Sequence, residues 1–301
     1  MTQVMTYPDF KEYIISQMSD RYPDADDIQI RSVLKNNGLM LDGLTIHTKD
    51  RSLIPTIYLN DFYTEYQKGM HLEQILQHIQ TAYGNNLRAS AFCPDDFCDF
   101  EKIKDRIVFR LINRQENETL LGDVPFIPYL DLALVFCVLV ELDTEQSGSI
   151  MIHHSHLSYW NVDEKQLFAY AKINSAHLLQ PECTPLEDMV ESMLRRDDAK
   201  LFPSLSPAFP MYILTNNNRS YGAGVICYPD VLESCAEKLE DDFYIIPSSI
   251  HEVIIVPSQA DVSLNILSDM VQEVNQTQLA REEVLSDHAY YYDRKANVVR
   301  Y

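Results

Sequence analysis

With 301 residues, 46% of them hydrophobic and 23% charged, the chain can bury a sizeable core and lacks the depleted, charge-rich profile of a disordered protein. Its formal net charge of −21 is spread over both halves, a field that repels nucleic-acid phosphates and anionic lipid, and it has no cluster of lysines and arginines to release counterions. The eight glycines form neither Gly-x-Gly-x-x-Gly nor Gly-x-x-x-x-Gly-Lys-Ser/Thr, which argues against the two common phosphate-cradling loops.

Taken in chain order, residues 7 to 19 predict a helix, with Phe10, Ile14, Ile15 and Met18 on one side and Thr6 as its cap. The period then changes to that of a hairpin. Ile28 to Leu34 and Leu39 to Ile46 flank Asn36-Asn37-Gly38, an Asn-Gly turn signal. A third strand, Thr56 to Leu59, leads into Asn60-Asp61, a turn word that also offers a ligand-binding amide and carboxylate. A helix over Leu72 to Tyr83 is expected to stop at Gly84-Asn85-Asn86. Cys93 and Cys98 form Cys-x4-Cys with no second pair to complete a zinc site, so they read as thiols of a loop or short helix.

The strand Arg106 to Asn113 opens a central block. A short helix near Glu116 to Leu121 follows, then an apolar run Leu130 to Leu142, read as strand from its Val and Phe content. A turn at Ser147-Gly148 and a strand Ser149 to His153 come next, then a helix Val162 to Leu179 started by Asp163. Prolines 181, 185, 203, 207 and 210 mark residues 181–210 as the linker, with an acidic helix Leu186 to Arg195 inside it.

Beyond the linker the order is strand Tyr212 to Thr215, strand Tyr221 to Cys227 and helix Val231 to Leu239. Strands Phe243 to Ile246 and Val253 to Val256 follow, then helix Val262 to Gln276 and strand Ala289 to Asp293. This ββαββαβ block, with hairpins between neighbouring strands, implies an α+β fold of largely antiparallel sheets with helices packed on one face. The expected blocks are residues 1–100, 101–180 and 211–301, joined across the linker.

Three polar words invite a chemical reading. Ser248, Ser249, His251 and Glu252 sit between two β-branched strands and hold the residue types of a hydrolytic triad. Triad members ordinarily converge from separate segments, however, and no Gly-x-Ser-x-Gly elbow is present, so a structural turn whose hydroxyls bond to free backbone groups is the better reading, and these four residues are the candidates for any ligand or partner site. Asp287, with Ser286, reads as a helix stop or turn, His288 opens the strand that carries Tyr290-Tyr291-Tyr292, and Asp287 and His288 join the same candidate site. His153, His154 and His156 form the densest histidine cluster, and strand alternation would place His154 and His156 on one face. They are the weak metal candidates, and a metal-assisted hydrolase built on them is the enzymatic alternative.

Several of these stretches are familiar together: Lys35 to Ile46, Pro55 to Tyr63, Asp105 to Asn113, the Ile-Pro-Ser-Ser-Ile-His-Glu-Val word and Leu285 to Arg294. They resemble a domain-of-unknown-function family of cytosolic proteins from gut-type Gram-positive anaerobes, over nearly the whole chain. The block order is similar to a second uncharacterised family found in bacilli. The resemblance implies an accessory role on or near mobile elements and brings no activity, ligand or catalytic residue.

The chain begins without a basic head before an apolar stretch, and its longest apolar run, Leu132 to Val140, is far short of the ~20 residues that span a bilayer. A cytoplasmic location is therefore expected, with no membrane, no nucleic acid and no cofactor. The leading expectation is a non-catalytic protein that binds a protein partner or a small ligand. An acidic mimic of DNA that occupies a DNA-binding protein is the other alternative.

Overall fold

The computed structural model describes residues 5–48, 54–87, 94–141, 147–189, 210–260 and 262–301. The chain is α+β with antiparallel sheets, and it divides into two compact units, residues 1–102 with 139–149 and residues 103–138 with 150–301. Among the described residues no helix is long and apolar enough to cross a membrane.

In the N-terminal unit the first helix, Tyr7–Arg21, starts where the Thr6 hydroxyl accepts the Asp9 N–H at 3.4 Å. It buries Phe10, Ile14 and Met18, one stripe at four-residue spacing. Strands β1 (Asp27–Leu34) and β2 (Met40–His47) pair antiparallel from Leu34 opposite Met40 to Asp27 opposite His47. Their turn is the Asn-Gly device the sequence announces, with Asn37 and Gly38 both left-handed at φ 56° and 67°. Strand β3 (Ile57–Tyr58) completes the sheet in the order β1-β2-β3, and helices Leu59–Gln67 and Leu72–Leu87 follow. The core joins Phe10, Ile14 and Met18 to Leu44, Ile46, Ile75 and Ile79. The second of those helices runs through the expected stop at Gly84, because glycine inside a helix costs only about 1 kcal/mol relative to alanine. Cys98 is exposed beyond a one-turn helix, Pro94–Phe97, while Cys93 lies outside the described residues.

Two further sheets follow in the chain. In the first, β4 (Ile107–Asn113) pairs with β6 (Leu132–Glu141), which also pairs with β5 (Phe126–Tyr129) and β7 (Ser147–Met151). The apolar run is therefore a strand, as its composition implies. Ser147-Gly148, read as a turn, lies inside β7. The helix Glu164–Leu178, capped by Asp163 (Oδ1 to the Gln166 N–H, 2.8 Å), covers the free edge of β4. Its buried Ser175 hydroxyl accepts the Phe109 N–H at 3.0 Å, and Asn174 donates to the carbonyls of Lys104 and Ile107. Side chains thus satisfy backbone groups that no strand reaches.

The second sheet has six strands in the order β13-β12-β10-β11-β9-β8: β8 (Pro181–Pro185), β9 (Tyr212–Asn216), β10 (Phe243–Pro247), β11 (Val253–Pro257), β12 (Tyr290–Asp293) and β13 (Val298–Arg300). Two expectations are corrected here. Pro181–Pro185, read as the opening of a linker, is an edge strand paired with β9. Proline is tolerated there because an edge strand needs only half of its ladder bonds. Residues 190–209, which hold the rest of that stretch and most of the expected acidic helix, lie outside the described residues.

Tyr221 to Cys227, read as a strand, is a 3-10 helix, Gly222–Cys227, with its first five residues buried. An apolar run buried all round carries no period to separate strand from helix, and left-handed Tyr221 (φ 51°) breaks the extended path before it. The block is therefore β9, 3-10 helix, helix Val231–Leu239, β10, β11, helix Leu264–Thr277, β12 and β13.

Candidate functional site

The Ser248 to Glu252 turn joins β10 to β11, and its polar groups are spent on bracing it. Within the turn the His251 N–H donates to Ser249 Oγ at 3.0 Å, and the Ser249 N–H donates to the Glu252 carbonyl at 3.2 Å. From outside, the Thr215 hydroxyl donates to the His251 carbonyl at 2.8 Å, and the Ile250 N–H donates to the Glu283 carbonyl at 2.8 Å. The His251 ring is held as well. Its Nδ1 accepts the Tyr221 N–H at 3.1 Å, which leaves the proton on Nε2, 3.9 Å from Glu283 Oε1. The Tyr221 ring lies 5.5 Å from the imidazole and 3.7 Å from the Arg110 guanidinium carbon. Ser249 Oγ thus accepts the backbone N–H of His251, an arrangement that fixes the turn. Ser248 and Glu252 are half-buried beside it.

Asp287 and His288 belong to a neighbouring network centred on buried Ser286, which donates to Asp131 Oδ2 at 2.7 Å. Tyr290 donates to the other Asp131 oxygen at 2.7 Å, and the His288 N–H donates to Ser286 Oγ at 2.9 Å. Asn275 holds Asp287 Oδ1 at 2.8 Å, while the exposed His288 ring stacks on Tyr301 at 5.6 Å. Among the described residues, the Ser248 to Glu252 turn makes its contact towards this part of the chain at Glu283. Asn60 and Asp61 lie in the N-terminal unit, in the first turn of helix Leu59–Gln67 and not in a turn after the strand. Asn60 Oδ1 accepts the Asp42 N–H at 2.9 Å, and Asp61 is exposed.

The histidine cluster differs from its expected form. The strand ends at Met151, and His154 and His156 sit on a helix, His154–Trp160, with His153 at its N-cap. His156 Nδ1 accepts the His153 N–H at 3.0 Å, and His153 Nδ1 is 2.7 Å from Asp123 Oδ2. His154 Nδ1 faces Glu164 Oε1 at 4.0 Å. Burial, with His153 close by, holds the His156 imidazole below its usual range. Among the described residues no group of three or more His, Cys, Asp or Glu could hold a metal ion. The imidazoles cap a helix.

A cavity of about 390 Å³ lies elsewhere in the same unit, walled by Tyr129, Tyr228, Tyr292, Asp230, Glu233 and Val298 among others. Each wall follows from a local feature of the chain. Left-handed Leu130 turns the chain after Tyr129, and Tyr228 caps the 3-10 helix. Asp230, also left-handed, starts the next helix, whose first turn carries Glu233. Strand alternation buries Tyr290 and Tyr292 and leaves Tyr291 to donate to Asp242 at 2.7 Å.

The Tyr292 hydroxyl donates to Asn297 Oδ1 at 2.9 Å. Tyr228 is only 5% exposed, with its ring edge-on to Phe109 at 5.5 Å, yet its hydroxyl has no hydrogen-bond partner among the described residues. The hydroxyl of half-buried Tyr129 likewise has none. Burial pushes both phenols and the nearby Cys227 thiol well above their usual ranges, so all three stay protonated. Sequence reasoning passed over this site, although the tyrosine alternation in Tyr290-Tyr291-Tyr292 was one visible signal of it.

No match was found among curated proteins or among solved structures. A family model, described as a family of unknown function (DUF5688), matches residues 7–294. The chain therefore belongs to DUF5688.

Proposed function

We propose that this chain acts by binding a small ligand in the Tyr129-Tyr228-Tyr292 cavity, without catalysing a reaction on it. One observation carries this reading. The Tyr228 side chain is only 5% exposed and its hydroxyl has no partner among the described residues, so its hydrogen-bonding capacity is open to what enters the cavity. Tyr228 lines a cavity within the size range of small-molecule sites, which combine apolar and aromatic walls with a few placed polar groups. A ligand that hydrogen-bonds to this hydroxyl would use that capacity in place of water.

The cavity favours a small ligand over a protein partner. The polar turn at Ser248 to Glu252 supports a scaffold role, because its hydrogen-bonding groups serve the backbone. The hydrolase alternative would have to release Nδ1 of His153 and of His156 from Asp123 and the helix cap. The DNA-mimic alternative rests on net charge alone.

A protein-observed NMR screen with a fragment library tests the proposal. Hits should perturb Tyr228, Tyr292 and Val298 together. Hits confined to other surfaces, or no hits, would contradict it.

A further inference from the structure

We infer that the cavity is built for an organic cation, an amine that carries a small apolar or aromatic group; this rests on the binding role proposed above. Among the described residues, the ionisable side chains of its wall are two carboxylates, Asp230 and Glu233, together with tyrosines and one cysteine, with no lysine, arginine or histidine. Since the phenols and thiol are neutral, the charge facing a ligand is entirely negative. The hydroxyl oxygens of Tyr129 and Tyr228 offer unused lone pairs to an ammonium N–H.

An anion is disfavoured by the same geometry. The cavity borders the start of helix Val231–Leu239, whose free N–H groups would ordinarily attract an anion, but Glu233 in its first turn offsets that positive end. The acidic surface of the whole chain adds a long-range field that concentrates cations and repels anions. The apolar walls supplied by Leu232 and Val298 suit the carbon skeleton of an amine better than a hydrated metal ion, which would demand more oxygen ligands.

Three probes of matched shape test this: benzylammonium, benzyl alcohol and benzoate, each titrated into the full chain by NMR at moderate salt. Benzylammonium should perturb Tyr228 and Val298 and bind at least about tenfold more tightly than the other two, the scale of one charge-assisted contact. The double variant Asp230→Asn, Glu233→Gln should weaken benzylammonium by about the same factor and leave benzyl alcohol unchanged. Asparagine accepts the left-handed backbone at position 230, and both positions are exposed, so the variant keeps the fold.

Equal or tighter binding of benzyl alcohol or benzoate would overturn the cation assignment and leave the binding role standing. So would a fragment library whose hits in the cavity are neutral or anionic. If neither the three probes nor the library perturbs the cavity, both the assignment and the binding role fall.

Discussion

His251 is the residue whose chemistry the sequence most invites, and its ring nitrogen is engaged by the backbone. Its Nδ1 serves the amide of Tyr221, 30 positions away in the chain, and a left-handed tyrosine needs that support. Loss of the ring would leave the Tyr221 N–H without its partner, so His251→Ala should destabilise the fold by about 1–2 kcal/mol. Urea unfolding followed by circular dichroism measures this, and an unchanged midpoint would contradict the bracing role.

Gly222 beside it makes a sharper forecast. A Cβ there would collide with the Thr215 hydroxyl and lie 2.5 Å from the His251 carbonyl oxygen and 2.8 Å from the Asn216 nitrogen. Two of the three are backbone atoms that cannot rotate away. Gly222→Ala should therefore cost about 3 kcal/mol, at the upper end for overpacking, and a melting temperature equal to that of the wild type would refute the packing. The turn was legible in sequence from its β-branched flanks. Its meaning was not, because the partners of His251 come from Tyr221 and Glu283, and no local pattern announces them.

At the scale of elements, the histidine helix shows how a polar word can serve structure. His156 is held neutral by burial beside His153 and Trp160, with Asp123 on the far side of His153 as the nearby carboxylate. A histidine whose folded value is depressed contributes stability above its unfolded value, about 6.5, and loses that contribution as pH falls through the folded value. Protonation would also remove the Nδ1 acceptor that caps the helix. Unfolding midpoints should therefore fall between about pH 7 and about pH 5. In His156→Asn, which keeps an acceptor without a titrating group, the fall should be shallower. Equal slopes in the two proteins would contradict the assignment.

The same scale shows where periodicity succeeds and fails. Tyr7–Arg21 and the β1–β2 hairpin were legible because each buries one face and leaves the other in water. Gly222–Cys227 was not, because it is buried all round. Pro128 and the prolines at 181 and 185 disguised β5 and β8 as loops, since proline weakens the strand signal even where an edge or a strand end admits it.

At the scale of the whole molecule, the α+β class followed from strands and helices in alternation with hairpins between neighbours. The cavity did not, because its walls come from β5, the end of a 3-10 helix, a helix start and two late strands, positions spread from Tyr129 to Val299. Only the fold gathers them. The charge of −21, by contrast, is read directly from composition. It predicts no measurable affinity for duplex DNA or RNA at physiological salt, since bound phosphates would face a repulsive field. A salt-sensitive shift in a gel assay would contradict that.

The binding role itself is tested most directly by closing the cavity from its rim. Val298 on β13 is 43% exposed and lines the cavity, so Val298→Trp can fill the space without disturbing the core. Titration of benzylammonium and the strongest fragment hits into wild type and Val298→Trp, with melting temperatures measured in parallel, is the decisive comparison. The account predicts an unchanged melting temperature and loss of binding in the variant. Equal binding by both proteins would place the ligand elsewhere and contradict the cavity as the functional site.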